Sequence, residues 1–143
     1  MGRCCYMSIL TVVGIGLMAA TNEARQNRAS LTLHEVGEQL YMLANDPAVQ
    51  GMGGGGNTAI FVTEGGVVLV DTKISGYGSD ILSHVQQITD LPITTIINTH
   101  THWDHSGSNN EFPDTVDFIV HENTLAHMAR PTCDDGAGFQ AVG

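Results

Sequence analysis

Apolar positions along the chain fall into contrasting patterns. No charged residue occurs between Arg3 and Glu23, and residues 6–20 are apolar almost throughout, ending in the small pair Ala19 and Ala20. From residue 31 onward, short apolar or β-branched runs alternate with turn residues. Residues 31–36 and 40–44, separated by Gly37 and Glu38, predict a strand, turn, strand pair. Residues 58–63 and 67–70 flank Glu64-Gly65-Gly66 and predict a hairpin with a three-residue loop, which Asp71 terminates. Ile81, Leu82, Val85 and Ile88 lie at helical spacing, so residues 79–89 predict a helix, with Ser79 or Asp80 as its cap and Pro92 beyond its end. Residues 93–97 and 116–120 predict buried strands, and residues 122–129 a helix ahead of Pro131. Strand and helix alternate after residue 67, which predicts an α/β layered fold.

The N-terminal run has the layout of an export signal: a short basic start, an apolar middle and small residues at the cut. Residues 1–20 are therefore expected to be removed, placing the protein in the periplasm or outside the cell, with no stable membrane association after cleavage. An uncleaved anchor is the alternative, since 17 residues from Cys4 to Ala20 reach the short limit of a spanning helix. Residues 21–30 are polar and aperiodic and read as a linker, which leaves residues 31–143 as one domain. Signal removal takes Cys4 and Cys5 and leaves Cys133, so no internal disulfide is expected.

Composition narrows the picture further. The chain of 143 residues is 42% hydrophobic and 14% charged, enough apolar material for a packed core. Its 15 Asp and Glu against 5 Lys and Arg give a formal charge of −10. Such a surface repels phosphate backbones, which excludes nucleic acid as a partner. The glycine-rich segment at residues 51–56 has the letters of a dinucleotide fingerprint but precedes a strand instead of following one, so it reads as a loop.

Chemistry concentrates in Asn98-Thr99-His100-Thr101-His102-Trp103-Asp104-His105, directly after the strand at residues 93–97. In extended chain, side chains two apart point the same way, so His100 and His102 present their imidazoles to one point and Asp104 continues the series. On the same rule His105 points elsewhere, which suits a second ion nearby. Imidazole and carboxylate donors fit zinc, with iron or manganese where oxygen ligands predominate. His34 and His84 are isolated and read as surface or internally satisfied residues, while His121 and His127, six apart, do not share a helix face.

His100, His102, Asp104 and His105 match the His-x-His-x-Asp-His signature, and the sequence here resembles the metallo-β-lactamase-fold hydrolases. The match extends to Val67-Val68-Leu69-Val70-Asp71-Thr72, similar to that family's strand ending in a buried aspartate that braces the metal loop, and to Gly107 and Asn109. The resemblance covers roughly residues 31–130 and implies the N-terminal half of an αββα sandwich. It implies two ions, the first on His100 and His102, the second on Asp104 and His105. Asp104 would also act catalytically, orienting a hydroxide that attacks an ester, thioester, lactone or lactam carbonyl of a small-molecule substrate. Trp103 would narrow the mouth, and the Gly53–Gly56 loop corresponds to a mobile rim.

In the family a C-terminal half of similar size supplies the remaining ligands and the second sheet. With Gly143 as the last residue, the fold is expected to be incomplete at that end, leaving an apolar sheet face that self-associates or takes up a missing half. Two functions are therefore open: a secreted or periplasmic metal-dependent hydrolase, or a truncated, inactive remnant serving as a metal-binding module.

Overall fold

Six strands cross a single sheet in chain order: β1 (Leu31–Gly37), β2 (Leu40–Asn45), β3 (Thr58–Thr63), β4 (Gly66–Val70), β5 (Ile93–Ile97) and β6 (Asp117–Ile119). The structure is a computed structural model that describes residues 29–48 and 53–128. The expected export signal and most of the expected linker lie outside these residues. The linker's last two residues are tied to the domain. Ala29 is buried and its carbonyl accepts the Tyr77 hydroxyl at 3.2 Å, while the Ser30 carbonyl accepts the Asp46 N–H at 2.9 Å.

Connection length sets strand direction. The two-residue turn at Glu38 and Gln39 and the turn at Glu64 and Gly65 return the chain at once, so β1 to β4 pair antiparallel. β4, β5 and β6 pair parallel, because longer crossovers intervene. The first crossover carries helix α1 (Gly78–Val85); the second carries the short helix α2 (Trp103–Ser106) and a 3₁₀ turn at Asn109–Glu111. Helix α3 (Glu122–Met128) follows β6.

Side chains alternate across the strands, and register decides which face each occupies. Leu33 pairs with Leu43, Tyr41 with Ile60, Ile60 with Leu69, Leu69 with Ile96, and Ile96 with Phe118. On this face Tyr77, Ile81 and Val85 close the core. The opposite face holds the pairs Leu40 with Phe61, Phe61 with Val68, Val70 with Ile97, and Ile97 with Ile119. It is apolar yet open: Leu40 is 37%, Phe61 45% and Ile119 54% exposed.

The helices depart from the sequence expectation at their ends. α1 ends at Val85, and the expected residues up to Thr89 continue as turns bonded from Ile88 N–H to the Val85 carbonyl at 2.9 Å, which still brings Ile88 onto the core. Neither Ser79 nor Asp80 caps it. The N-cap is Tyr77, without a side-chain cap of its own, and the Glu111 carboxylate instead accepts the N–H groups of Gly76 and Gly78. α2 was expected as extended loop. No helix among the described residues is long and apolar enough to cross a membrane.

Candidate metal centre

Parallel pairing of β4 with β5 puts their C-terminal ends side by side, where crossover connections leave a crevice. The Asp71 N–H donates to the Ile97 carbonyl at 2.9 Å, so the residue leaving β4 is pinned beside the residues leaving β5. Asp71 is buried with φ of 62°, a left-handed conformation that aspartate tolerates better than most side chains. That turn directs its carboxylate at the histidine segment. Asp71 Oδ1 accepts the Thr99 N–H at 2.8 Å, and Oδ2 accepts the Thr99 hydroxyl at 2.7 Å. His105 Nδ1 lies 2.8 Å from the same Oδ2.

These contacts set the tautomers. An ionised carboxylate only accepts, so His105 carries its proton on Nδ1 and leaves the Nε2 lone pair bare. The Thr99 hydroxyl has one hydrogen, already given to Asp71, so it accepts from His100 Nδ1 at 2.9 Å. His100 Nε2 is then bare as well. One buried carboxylate thus prepares two imidazoles for a cation, the second through a threonine.

The ligand loop does not stay extended, and this corrects the expectation that His105 points away. After His102, which has φ of −63° and ψ of 141°, the chain turns into α2. The helical turn swings His105 back, so its ring centroid lies 4.3 Å from that of His100, itself 4.6 Å from His102. Asp104 Oδ2 stands 3.5 Å from His105 Nε2. Two donors on one tetrahedral zinc ion lie about 3.4 Å apart, given bonds of about 2.0–2.1 Å, so this pair has the separation an ion requires. Asp71, His100 and His105 also have ligating atoms within 4.8 Å of one another, although Asp71 is already taken up by three donors. His100, Asp104, His105 and Trp103 are half-buried and His102 is exposed, so the centre is open to solutes.

The other histidines stand apart. His84 Nδ1 is 2.8 Å from the Asp80 carbonyl, and His121 Nδ1 accepts the Asn123 N–H at 3.2 Å at the start of α3. His34 and His127 are exposed on β1 and α3.

Behind the loop a polar layer holds its far end. Thr72 Oγ1 donates to Asn109 Oδ1 at 2.7 Å, Asn109 Nδ2 donates to Asn98 Oδ1 at 2.7 Å, and the Ser108 hydroxyl donates to the Ile74 carbonyl at 2.6 Å. Glycines of the expected rim are hydrogen-bonded to their surroundings. Gly56 N–H donates to the Asp104 carbonyl at 2.7 Å, and Asn45 Nδ2 donates to the Gly55 carbonyl at 2.6 Å. A Cβ at Gly55 would collide with the Asp104 carbonyl, and one at Gly56 with the His105 ring, so only glycine permits the approach.

Lys73 is a candidate that the structure adds to those of the sequence. It is fully buried with φ of 64°, and its Nζ donates to the Gly56 carbonyl at 2.7 Å and to Asn45 Oδ1 at 3.2 Å. Burial pushes its pKa down to about 8. A signal was present: Lys73 is the chain's single lysine and stands directly after Asp71-Thr72.

Comparison with known proteins agrees with this geometry. No curated protein matches the chain. Among solved structures, a B3 metallo-beta-lactamase with an active-site glutamic acid matches with TM-score 0.63 at 24% identity, over 87% of this chain and 48% of its own. A metallo-beta-lactamase from Pontibacter korlensis gives 0.61 at 20% identity, over 70% and 47%. One from Pseudomonas aeruginosa, in its mono-zinc form, gives 0.61 at 16%, over 77% and 48%. The chain therefore spans about half the length of these solved relatives, and the likeness shows a shared fold. The family profile described as the Metallo-beta-lactamase superfamily matches residues 51–142, well over half of the chain and the whole of the ligand loop. The chain belongs to the metallo-beta-lactamase superfamily.

Proposed function

We propose that this chain carries the ligand loop of a zinc-dependent hydrolase, exported to the periplasm or beyond, that cleaves an ester, thioester, lactone or lactam in a small molecule. The observation that supports this best is the bare His105 Nε2 standing 3.5 Å from the Asp104 carboxylate, with the His100 ring beside it, at the open ends of two parallel strands. His100 and His102 would hold a first ion, Asp104 and His105 a second. A divalent ion bound there supplies Lewis acidity, lowering the pKa of water toward about 7 and polarising a carbonyl. The residues do the positioning. Asp71 keeps both imidazoles in the ligating tautomer, and Asp104 orients the attacking water from beside His105. The acidic surface favours small solutes over nucleic acid as partners.

A second reading is a metal-binding module without turnover. It is favoured by the incomplete donor set: among the described residues the one group of three or more whose ligating atoms all lie within 4.8 Å of one another is Asp71, His100 and His105. Metal content by mass spectrometry and hydrolysis assays on lactam, lactone, ester and thioester substrates separate the two. Bound zinc with turnover supports the hydrolase, and bound zinc without turnover supports the module. Zinc retained in full when His100 and His102 are both replaced by alanine would overturn the ligand assignment.

A further inference from the structure

Resting on the ligand assignment just proposed, we infer that Lys73 is a positioning residue for Asp104 and His105, holding their loop from two sides at once. Its main chain and side chain take opposite edges of the loop. The Lys73 carbonyl accepts the Gly107 N–H at 2.8 Å, just past α2, and a bridge pairs Lys73 with Ser106. The side chain passes beneath to Gly56, whose N–H holds the Asp104 carbonyl at 2.7 Å. Asn45 completes the cradle, accepting from Lys73 Nζ at 3.2 Å and donating to the Gly55 carbonyl at 2.6 Å.

Burying the ammonium costs free energy, and both acceptors are neutral. A lysine retained at full burial under those conditions needs a compensating task. Packing alone would be met by methionine, which has similar length and no charge. What methionine cannot do is hold the Gly56 carbonyl, and with it the glycine segment that touches the His105 ring and the Asp104 backbone. Partners behind metal ligands typically change affinity by about 10–100-fold when lost.

The test uses Lys73→Met in the full chain, with cobalt(II) as the probe. Affinity is measured by titration, geometry by the visible absorption of the bound ion, and folding by circular dichroism and melting of the metal-free protein. The expected result is a fold that matches wild type, cobalt bound about 10–100-fold more weakly, and an altered visible spectrum. A role confined to stability would lower the melting temperature and leave the spectrum of bound cobalt unchanged, which overturns the inference. Equal affinity and an identical spectrum overturn it too. Wild-type protein that binds no cobalt defeats the ligand assignment itself, and this inference with it.

Should the variant fail to fold, the single lysine offers a measurement on the unaltered chain. Labelling of Lys73 by an amine-reactive reagent, followed by mass spectrometry, should slow at least about tenfold when cobalt is bound, as the loop tightens over the cradle. A labelling rate indifferent to cobalt would overturn the inference.

Discussion

At the scale of single residues, Asp71 carries more of the site than any ligand does, because three donors and two histidine tautomers depend on its two oxygens. Asp71→Asn keeps the shape and tolerates the left-handed backbone, but its amide can present an N–H where His105 needs an acceptor. Zinc affinity, measured by chelator competition, should fall about 10–100-fold while the melting temperature of the metal-free chain shifts little. Lys73 makes a prediction of the opposite kind. Its pKa is lowered to about 8 in the folded chain from 10.5. Between those values the unfolded state binds the extra proton, so stability of the metal-free chain rises with pH from about 8 and levels off above about 10.5. The shift corresponds to about 3 kcal/mol at 1.36 kcal/mol per unit. Urea titrations across that range should show the rise in wild type and its absence in Lys73→Met.

At the scale of elements, the strands were legible because β-branched runs such as Val67 to Val70 and Ile93 to Ile97 admit few other readings. The His-x-His-x-Asp-His spacing was equally plain, as was the bracing role of Asp71 through the resemblance. α2 was not, since the four residues Trp103 to Ser106 are too short to show a helical period, and it is this turn that reunites His105 with His100. Nor was the cap of α1, which arrives from Glu111, 33 residues beyond Gly78. Local capping signals at Ser79 and Asp80 lost to a carboxylate that satisfies two N–H groups at the positive end of the helix. Glu111→Ala should destabilise the fold by about 1–2 kcal/mol in denaturant titration, and Glu111→Gln by less.

At the scale of the whole molecule, one sheet face is sealed by α1 and its neighbours while the other carries Leu40, Phe61 and Ile119 in partial contact with water. Phe61 sits centrally on that face, paired with Val68 and Leu40. We propose that copies of the chain self-associate through this face, since an exposed apolar patch gains by burial. In sedimentation velocity, Phe61→Glu should shift the chain toward monomer, and because the residue is 45% exposed the variant should lose under about 1 kcal/mol of stability.

Each strand pairs with its predecessor in the chain, and this has a kinetic meaning. The hairpins that join β1 to β4 close over short separations, so they can form first as the polypeptide leaves the ribosome. The metal loop joins later, with the crossovers. Asp71 reaches Thr99 across 28 residues and Thr72 reaches Asn109 across 37, spans like those of the parallel strand pairs, so the brace closes with the parallel half of the sheet. Contacts that close after the rate-limiting step govern escape from the native state and not arrival at it. A divalent ion should therefore leave the folding limb of a chevron unchanged and slow the unfolding limb: the centre would act as a latch set behind a door already shut.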